Sequence, residues 1–423
     1  MKDEVTHGGP EEFRESQREP GPAEIDTLIE RSSLGTPAAK SLRERTPIEA
    51  VQPVLDRANS LAAGPFGIGV EILPRELSVV LTDHYGIIHG RRRWPLPSME
   101  VSTVVEYVAK AARDLAATHL GLDLPNRCIV IGLVLGGPVD TRTGTVICYE
   151  NNPTDPAALK PDQRYRWEGE KLAELVEQES GCRTVLENDT SALAAVEQKF
   201  GVGQEIATFA VVLIRDGVGF SMVVDNKLLT HLLELGHVIV FPDGRICECG
   251  LVGDIESQAG RRAIRAVVHE AAGLSRDPEW EDVVQLALGD SDQAVRALRA
   301  FDRAGEAIGR GIATLVTLFN PACVVIYAPH ELIEPSDGNS RIAGAFMGAV
   351  EEFRRYTFPL KGQCRIVTRV PQPTDGPLGA ALIALARLFS VPLAPTSPNR
   401  SPSNGPASLP SPRRESPSAS HRA

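Results

Sequence analysis

The sequence predicts an α/β protein built from two similar lobes with a cleft between them. Stretches typical of paired β-strands joined by short turns occur twice, near residues 66–94 and 206–229. Each is followed by alternating helical and buried-strand patterns. The third observation is size, because 423 residues of which 42% are hydrophobic can form two packed cores.

The first lobe is predicted to span residues 66–187. Its strands show runs of β-branched residues bounded by turn residues, and its helices show apolar residues at helical spacing. In order, the predicted elements are the hairpin strands "FGIGVEIL" and "LSVVLTDHYGIIHGRRRW", the helix "VSTVVEYVAKAARDLAATHLG", the buried strand "RCIVIGLVLGGPVD", a strand at Thr145–Tyr149, the helix "EGEKLAELVEQESG" and the strand "RTVLEND".

The second lobe is predicted over residues 188–390, with its last helix returning to the first lobe. The same two periodicities assign its elements. They are the helix "TSALAAVEQKFG", the hairpin "IATFAVVLIRDGVGFSMVVDNKLL", a long helix from Asp292 to Phe319, the strand "ACVVIYAP", the helix "GAFMGAVEEFRRY", the strand "CRIVTRV" and the helix "GPLGAALIALARLF".

The two ends differ from this pattern. Residues 1–20 are polar and residues 391–423 are mostly Pro, Ser, Gly, Asn and Arg, so both are predicted to be disordered. A net charge of −11 argues against a nucleic-acid coat protein, and the seven cysteines form no disulfide framework. Neither a signal core nor a membrane-length apolar run is visible, which predicts a soluble, cytoplasmic protein without a membrane partner.

Three motifs carry a family resemblance. They are "GGPVDTRTG" at 136–144, "ENDTSA" at 187–192 and the linked block "ELGH…CECGLVGDIE" at 234–256. Together they resemble the ROK family, which groups sugar kinases with sugar-responsive repressors, and the resemblance covers roughly residues 66–390. It implies the two-lobed fold of actin, hexokinase and Hsp70, with ribonuclease H-like lobes.

The resemblance also implies a sugar pocket. A sugar presents hydroxyls that both donate and accept, so its pocket needs carboxylates, amides and backbone N–H groups at fixed spacing. The matching positions are Gly137, Asn188, Asp189, Glu234, His237 and Glu256. Simpler roles stay open, because Asn188 or Asp189 could cap the helix that starts near Ser191. Glu234 and Glu256 could be solvated loop charges.

One histidine and three cysteines hold a structural zinc in the family, and this chain departs from that set. It keeps His237, Cys247 and Cys249 but has Asp254 where the third cysteine would stand. Carboxylate oxygen is a legitimate but harder zinc ligand, so a weakened zinc site is expected. The alternative is that the metal has been lost and the thiols remain.

The ATP motifs of the kinases are replaced. The first phosphate loop, Asp-x-Gly-Gly-Thr in kinases, reads Glu71-Ile72-Leu73-Pro74-Arg75, and proline has no N–H to donate to phosphate. The second loop, Gly-Thr-Gly, is residues 215–217, which puts Asp216 where phosphate would sit. The glycine pair of the adenosine side is residues 327–328, Tyr-Ala. No ATP binding and no catalytic residue are therefore expected, although Asp189 matches the family's catalytic base.

The repressor branch carries an N-terminal winged helix-turn-helix, and residues 21–62 fit a degenerate version of one. Two short helices can be placed there, and the likeliest phosphate contacts are Lys40 and Arg43. The preceding segment is polar and the wing is short. The alternative is a helical appendage that no longer binds DNA.

These features predict a ROK-type transcriptional regulator that binds a sugar or sugar derivative between its lobes and has no kinase activity. Its partners would be that sugar and operator DNA, and reading paired half-sites would require a homodimer or homotetramer. One alternative is a sugar-binding pseudokinase that acts through protein contacts without DNA. A second is an active ATP-dependent sugar kinase.

Overall fold

The computed structural model describes residues 64–148, 167–229, 233–335, 340–357 and 364–393. The segments predicted to be a helix-turn-helix and disordered ends lie outside these ranges, apart from residues 391–393. Within the described ranges, no helix combines the length and apolar character needed to cross a lipid bilayer.

The first half of the chain forms a five-stranded sheet. The strand order is β3-β2-β1-β4-β7, with β1, β2 and β3 antiparallel and β1, β4 and β7 parallel. The bounds are β1 Phe66–Leu73, β2 Glu76–Asp83, β3 Ile88–Pro95, α1 Val101–Leu120, β4 Ile129–Leu135, β5 Val139–Asp140, β6 Thr145–Val146, α2 Leu172–Ser180 and β7 Thr184–Asn188. The predicted strand at residues 145–149 is only two residues long, and residue 149 lies outside the described ranges.

The second half builds a sheet of the same design. Its order is β10-β9-β8-β11-β12, again an antiparallel hairpin followed by two parallel strands. The bounds are α3 Asp189–Phe200, β8 Phe209–Ile214, β9 Val218–Val224, β10 Lys227–Leu228, α4 Glu256–Ala259, α5 Arg261–Ala272, α6 Trp280–Leu288, α7 Asp292–Phe319, β11 Cys323–Tyr327, α8 His330–Ile333, α9 Ser340–Phe353, β12 Arg365–Arg369 and α10 Asp375–Phe389. Helices α4, α5, α6 and α8 were not predicted from the sequence.

The last helix, α10, packs on the first sheet. Gly69 of β1 and Gly132 of β4 face it, and a Cβ on either would fall within about 2 Å of a backbone atom of Pro377 or Ala380. Glycine is therefore required in both strands, because any side chain would push the helix away. α10 also crosses α3 closely at Gly379. The start of α3 lies at the sheet edge where β1 and β4 end, because α3 directly follows β7, which runs parallel to β4.

Each sheet has its own hydrophobic core. One core contains the first sheet with α1 and α2, and the other contains the second sheet with α5, α6, α7 and α9. α7 illustrates why the long helix forms, since Ser291 accepts a hydrogen bond from the N–H of Ala294 and alanines line its buried face. The other face of each sheet is covered by α3 or α10, whose apolar residues form smaller clusters with the strands.

Candidate functional site

Polar residues gather where β1, β4 and β7 end. These strands are parallel, so the residues at or after their carboxyl ends meet at one edge of the sheet. Glu71 lies near the end of β1, Gly137 follows β4, Asn188 ends β7 and Asp189 begins α3. These parts of the sequence motifs are thereby brought to one place.

Asn188 is fully engaged with the protein. Its side-chain oxygen accepts from the N–H of Thr190 at 2.9 Å, which makes it the N-cap of α3. Its Nδ2 donates to the carbonyl of Gly137 at 3.0 Å. Asn188 therefore caps the helix, which begins at Asp189 rather than near Ser191. The amide also ties the Gly-Pro turn to the start of α3.

Asp189 and Glu71 share one arginine from the second lobe. Nη1 of Arg215 lies 2.8 Å from Oε1 of Glu71 and 3.5 Å from Oδ2 of Asp189. Burial raises the pKa of both carboxyl groups, and the charge of Arg215 opposes that rise. Burial alone would lower the pKa of Arg215, but the charges of the two carboxylates outweigh it and raise that pKa. This ion pair spans the cleft between the two sheets.

The β8–β9 turn differs in one respect from the sequence prediction. The carboxylate of Asp216 bonds Arg261 at 2.8 Å, at the start of α5, and it is the side chain of Arg215 that bonds the carboxylates of the cleft. The backbone of this turn is docked as well, because the N–H of Arg261 donates to the carbonyl of Arg215 at 2.8 Å. Compared with a Gly-Thr-Gly loop, the turn at residues 215–217 therefore adds a cation to the cleft, Arg215, and an anion beside it, Asp216.

The second group of predicted sugar contacts lies beside this turn. Oε2 of Glu256 accepts from the N–H of Val218 at 2.8 Å, so this carboxylate is held by the former phosphate loop. Glu234 immediately precedes a short 3-10 turn, Leu235–His237, and makes no side-chain capping bond to it. Desolvation raises the pKa of Glu234, the charge of His237 lowers it, and the charges of Glu256 and Asp189 raise it further. The charges of the other three groups therefore all act on Glu234.

Four potential metal ligands converge at the loop between His237 and Asp254. The ligand atoms of His237, Cys247, Cys249 and Asp254 all lie within 4.8 Å of one another. Nδ1 of His237 is 2.9 Å from Oδ2 of Asp254 and 3.8 Å from Sγ of Cys247. Sγ of Cys249 is 3.6 Å from Oδ2 of Asp254. The predicted ligand set is thus assembled in space and could hold a metal ion.

The geometry fits a small tetrahedral ion. Ligands at ordinary zinc distances stand about 3.3–3.8 Å apart, and two of the three measured separations are in that range. Asp254 is completely buried and accepts from the N–H of Ser257 at 2.8 Å, which orients its carboxylate. Burial would raise the pKa of Asp254, but hydrogen bonds from His237, Cys247 and Ser257 lower it to about 2. The carboxylate is therefore ionised, as a ligand must be.

The adenosine-side position is filled from within. The side chain of Tyr327 is buried, and its hydroxyl donates to Oε1 of Glu197 at 3.0 Å. Nε of Arg369 donates to the same oxygen at 3.1 Å. Burial raises the pKa of Tyr327 well above its usual value. A largely buried polar network therefore joins α3, β11 and β12.

Sequence reasoning missed the Arg215 bridge. Glu71 and Arg215 are 144 residues apart, and nothing local in either segment marks them as partners. The usable signal was the pairing of an acid in one former phosphate loop with a base in the other. The proposed DNA contacts Lys40 and Arg43 lie outside the described residues.

Comparison with known proteins identifies relatives of both kinds. The chain is 27% identical over 278 residues to a glucokinase of Streptomyces coelicolor, covering 61% of this chain and 80% of that protein. It is 26% identical over 214 residues to a xylose repressor of Caldicellulosiruptor bescii, covering 48% of this chain and 50% of that protein. The crystal structure of a ROK family transcriptional regulator, a homologue of the E. coli MLC protein, superposes with a TM-score of 0.62 at 20% identity, covering 87% and 96% of the two chains.

The fold prediction is confirmed, because the matching structures include a ROK hexokinase from Thermus thermophilus as well as that regulator, and their fold is actin-like. The comparisons include kinases and repressors at similarly low identity, so they leave both activities open. The ROK family model matches residues 68–334, more than half of the chain. This protein is a member of the ROK family.

Proposed function

We propose that the protein is a sugar-binding transcriptional regulator that transfers no phosphoryl group. A neutral sugar or sugar derivative binds in the cleft, where Asp189, Glu234 and Glu256 accept hydrogen bonds from its hydroxyl groups. His237, Asn188 and the backbone at Gly137 complete the pocket. Binding changes the closure of the two lobes, and that change is passed to a DNA-binding segment. The protein acts in the cytoplasm.

The observation that carries this proposal is the ion pair of Arg215 with Glu71 and Asp189. Nucleotide phosphates need backbone N–H groups and a divalent cation between the two phosphate loops. Here the side chain of Arg215 stands between the two loops, and the carboxylates that could hold a cation are already paired. The first loop contains Pro74, which has no N–H. A phosphate entering this space would meet the carboxylates of Glu71 and Asp189, and would have to compete with both for the Arg215 guanidinium.

Zinc is proposed as a structural ion of the sugar pocket. His237, Cys247, Cys249 and Asp254 would hold it, and when bound it would order a loop that has little core of its own. Glu234 precedes the first ligand and Glu256 follows the last, so one ion would fix two sugar contacts. The role is support, and no step of a reaction passes through the metal.

DNA binding is assigned to residues 21–62, with Lys40 and Arg43 contacting phosphates and a dimer reading paired half-sites. A gel shift with the DNA upstream of the protein's own gene tests this assignment. Binding by the full chain and loss of binding after deletion of residues 1–63 are expected, with sugar binding retained. Operator binding by the truncated chain would remove this segment from the account.

Lys40 gives a finer test of the same assignment. Lys40→Ala should weaken binding to all DNA sequences alike and reduce the slope of log affinity against log salt by about 0.9, the share of one phosphate contact. The measurement is fluorescence anisotropy of operator and unrelated DNA at several salt concentrations. A loss confined to the operator would mean that Lys40 reads bases.

The second candidate is a sugar-binding protein that acts by protein contact alone. It is favoured by the low basic content of residues 21–62 and by the polar stretch before them. Sugar binding without any gel shift would select it. An active sugar kinase would instead release ADP from ATP when sugar is added.

A further inference from the structure

We propose that Arg215 is a positioning residue for sugar recognition: its guanidinium holds the Asp189 carboxylate in place as an anion and ties it to Glu71 of the other lobe. The inference rests on the proposed function, which assigns Asp189 to the sugar. It goes further by giving the former second phosphate loop a task in sugar binding.

The geometry places one cation between two buried anions. The side chain of Glu71 is 3% exposed, that of Asp189 is 10% exposed and that of Arg215 is 33% exposed. Oδ1 of Asp189 accepts from the hydroxyl of Thr190 at 3.3 Å, so the carboxylate is fixed through both oxygens. An ionised carboxylate has about four acceptor positions, which leaves room for a sugar hydroxyl.

The groups around the arginine are mostly acidic. Glu71 comes from β1, Asp189 from α3, Asp216 from the same turn, and Asp375 from the start of α10. The charge of Asp189 also raises the pKa of Glu234. Among the described residues, Arg215 is the cation that bonds both Glu71 and Asp189. Without it, two carboxylates would lie buried beside further acids with no counter-charge.

The same loop serves the second sugar-binding carboxylate. Three residues after the arginine, the N–H of Val218 donates to Glu256 at 2.8 Å. A side chain at Gly217 would collide with Glu256, since a Cβ there would lie 2.3 Å from Oε2. Residues 215–218 thus position two carboxylates. The side chain of Arg215 positions Asp189, and the backbone N–H of Val218 positions Glu256.

Loss of the arginine has a predictable sign. In Arg215→Met the carboxyl groups of Glu71 and Asp189 keep their burial and lose their cation, so each prefers its proton to a higher pH. A sugar hydroxyl needs the ionised form as acceptor. Sugar affinity of the variant should therefore fall more steeply than that of the wild type as pH falls through the neutral range.

The first measurement needs no sugar. Melting temperatures of the full-length wild type and Arg215→Met are compared from pH 5 to pH 9. The deficit of the variant should grow as pH rises, because the unfolded chain ionises both acids and the folded variant resists ionisation. Arg215→Lys, which keeps the charge, should recover most of the loss at high pH. A deficit that is constant over pH would mean that Arg215 only fills space, and would overturn the proposal.

The second measurement is titration with D-glucose and with D-xylose at pH 6 and pH 9. For a sugar that binds the wild type, Arg215→Met should lose about tenfold or more at pH 6 and recover most of that at pH 9, as one pKa unit corresponds to a tenfold change. Arg354→Met is a matched control, because Arg354 is similarly buried but pairs with Glu351 on the exposed surface. It should leave both profiles unchanged.

The two proposals fail differently. Parallel pH profiles for wild type and Arg215→Met overturn the role of Arg215 while sparing sugar binding. If no sugar binds the wild type, the proposed function is contradicted, and the melting profile still decides whether Arg215 supports the ionised carboxylates.

Discussion

The two lobes have sheets of the same design, but their first hairpin turns differ in exposure and in contact with the cleft. In the first lobe the β1–β2 turn consists of Pro74 and Arg75, both exposed, with Arg75 at a φ of 65°. In the second lobe the equivalent β8–β9 turn is docked on α5 and reaches the cleft through Arg215. The first turn is exposed, whereas the second supplies a cation to the cleft. The sheet thus determines where a ligand can bind, whereas a few turn residues determine which charged or polar groups contact it.

The same contrast divides the cleft itself. On the side of the predicted sugar contacts, Asp189, Glu234 and Glu256 stand with their supporting partners. On the side proposed to have lost phosphate binding, Pro74 has no N–H, and Arg215 and Asp216 are ion-paired. The following experiments test whether these two sides really differ in function, beginning with the largest expected effect.

Asp189→Asn should abolish most sugar binding. The amide keeps the shape but loses the charge that strengthens acceptance of hydroxyl protons, so a loss of about 1.5–3 kcal/mol, or tens-fold in affinity, is expected. Calorimetric titration with a sugar selected by a thermal-shift panel measures it. Asp225→Asn, in the β9–β10 turn, is the control and should bind as wild type. Equal affinities in all three proteins would place the pocket elsewhere.

Asp254→Cys should tighten metal binding. A third thiolate suits zinc better than a carboxylate does, so zinc should resist chelator about tenfold better and sugar affinity should improve with it through pre-organisation of the loop. Metal analysis before and after mild chelation measures retention. Cys148→Ser, a cysteine outside the ligand group, is the control. If neither wild type nor Asp254→Cys carries zinc, packing alone orders the loop.

Asp375→Asn should stabilise the protein at neutral and higher pH, and have no effect near pH 4. Burial raises the pKa of Asp375 to about 6, against an ordinary value of 3.8. Ionisation therefore disfavours the folded state as pH rises through about 6, and the amide removes that cost. After allowance for partial exposure, a gain of about 1–2 kcal/mol at pH 8 that vanishes by pH 4 is expected in urea unfolding. The opposite slope would mean that the acidic phosphate side stabilises the fold.

Arg75→Gly should have the smallest effect. A left-handed backbone costs a non-glycine residue roughly 1 kcal/mol, and glycine removes that strain but adds freedom to the unfolded chain. A stabilisation of at most about 1 kcal/mol is expected, with sugar affinity unchanged because this turn is exposed. A clear loss of sugar affinity would show that the β1–β2 turn also takes part in sugar binding.

Local patterns in the sequence were sufficient for most of the fold. The predicted long helix has the bounds Asp292–Phe319, because its serine cap and alanine-rich face are both local signals. Helices α5 and α6 were missed although their buried residues fall at helical spacing, for example Ile264 and Val268 in α5. In the site, the cap role of Asn188 could be weighed locally, whereas the contact between Arg215 and Glu71 depends on how two lobes meet.

The central claim is that the cleft binds sugar and does not use ATP. The most direct measurement is ADP release from Mg·ATP by one preparation of the protein, with the sugar that binds it in calorimetry at saturating concentration. We expect saturable sugar binding and no ADP release above that of heat-inactivated protein. ADP release that depends on the sugar and disappears in Asp189→Asn would contradict the account and make the protein a kinase.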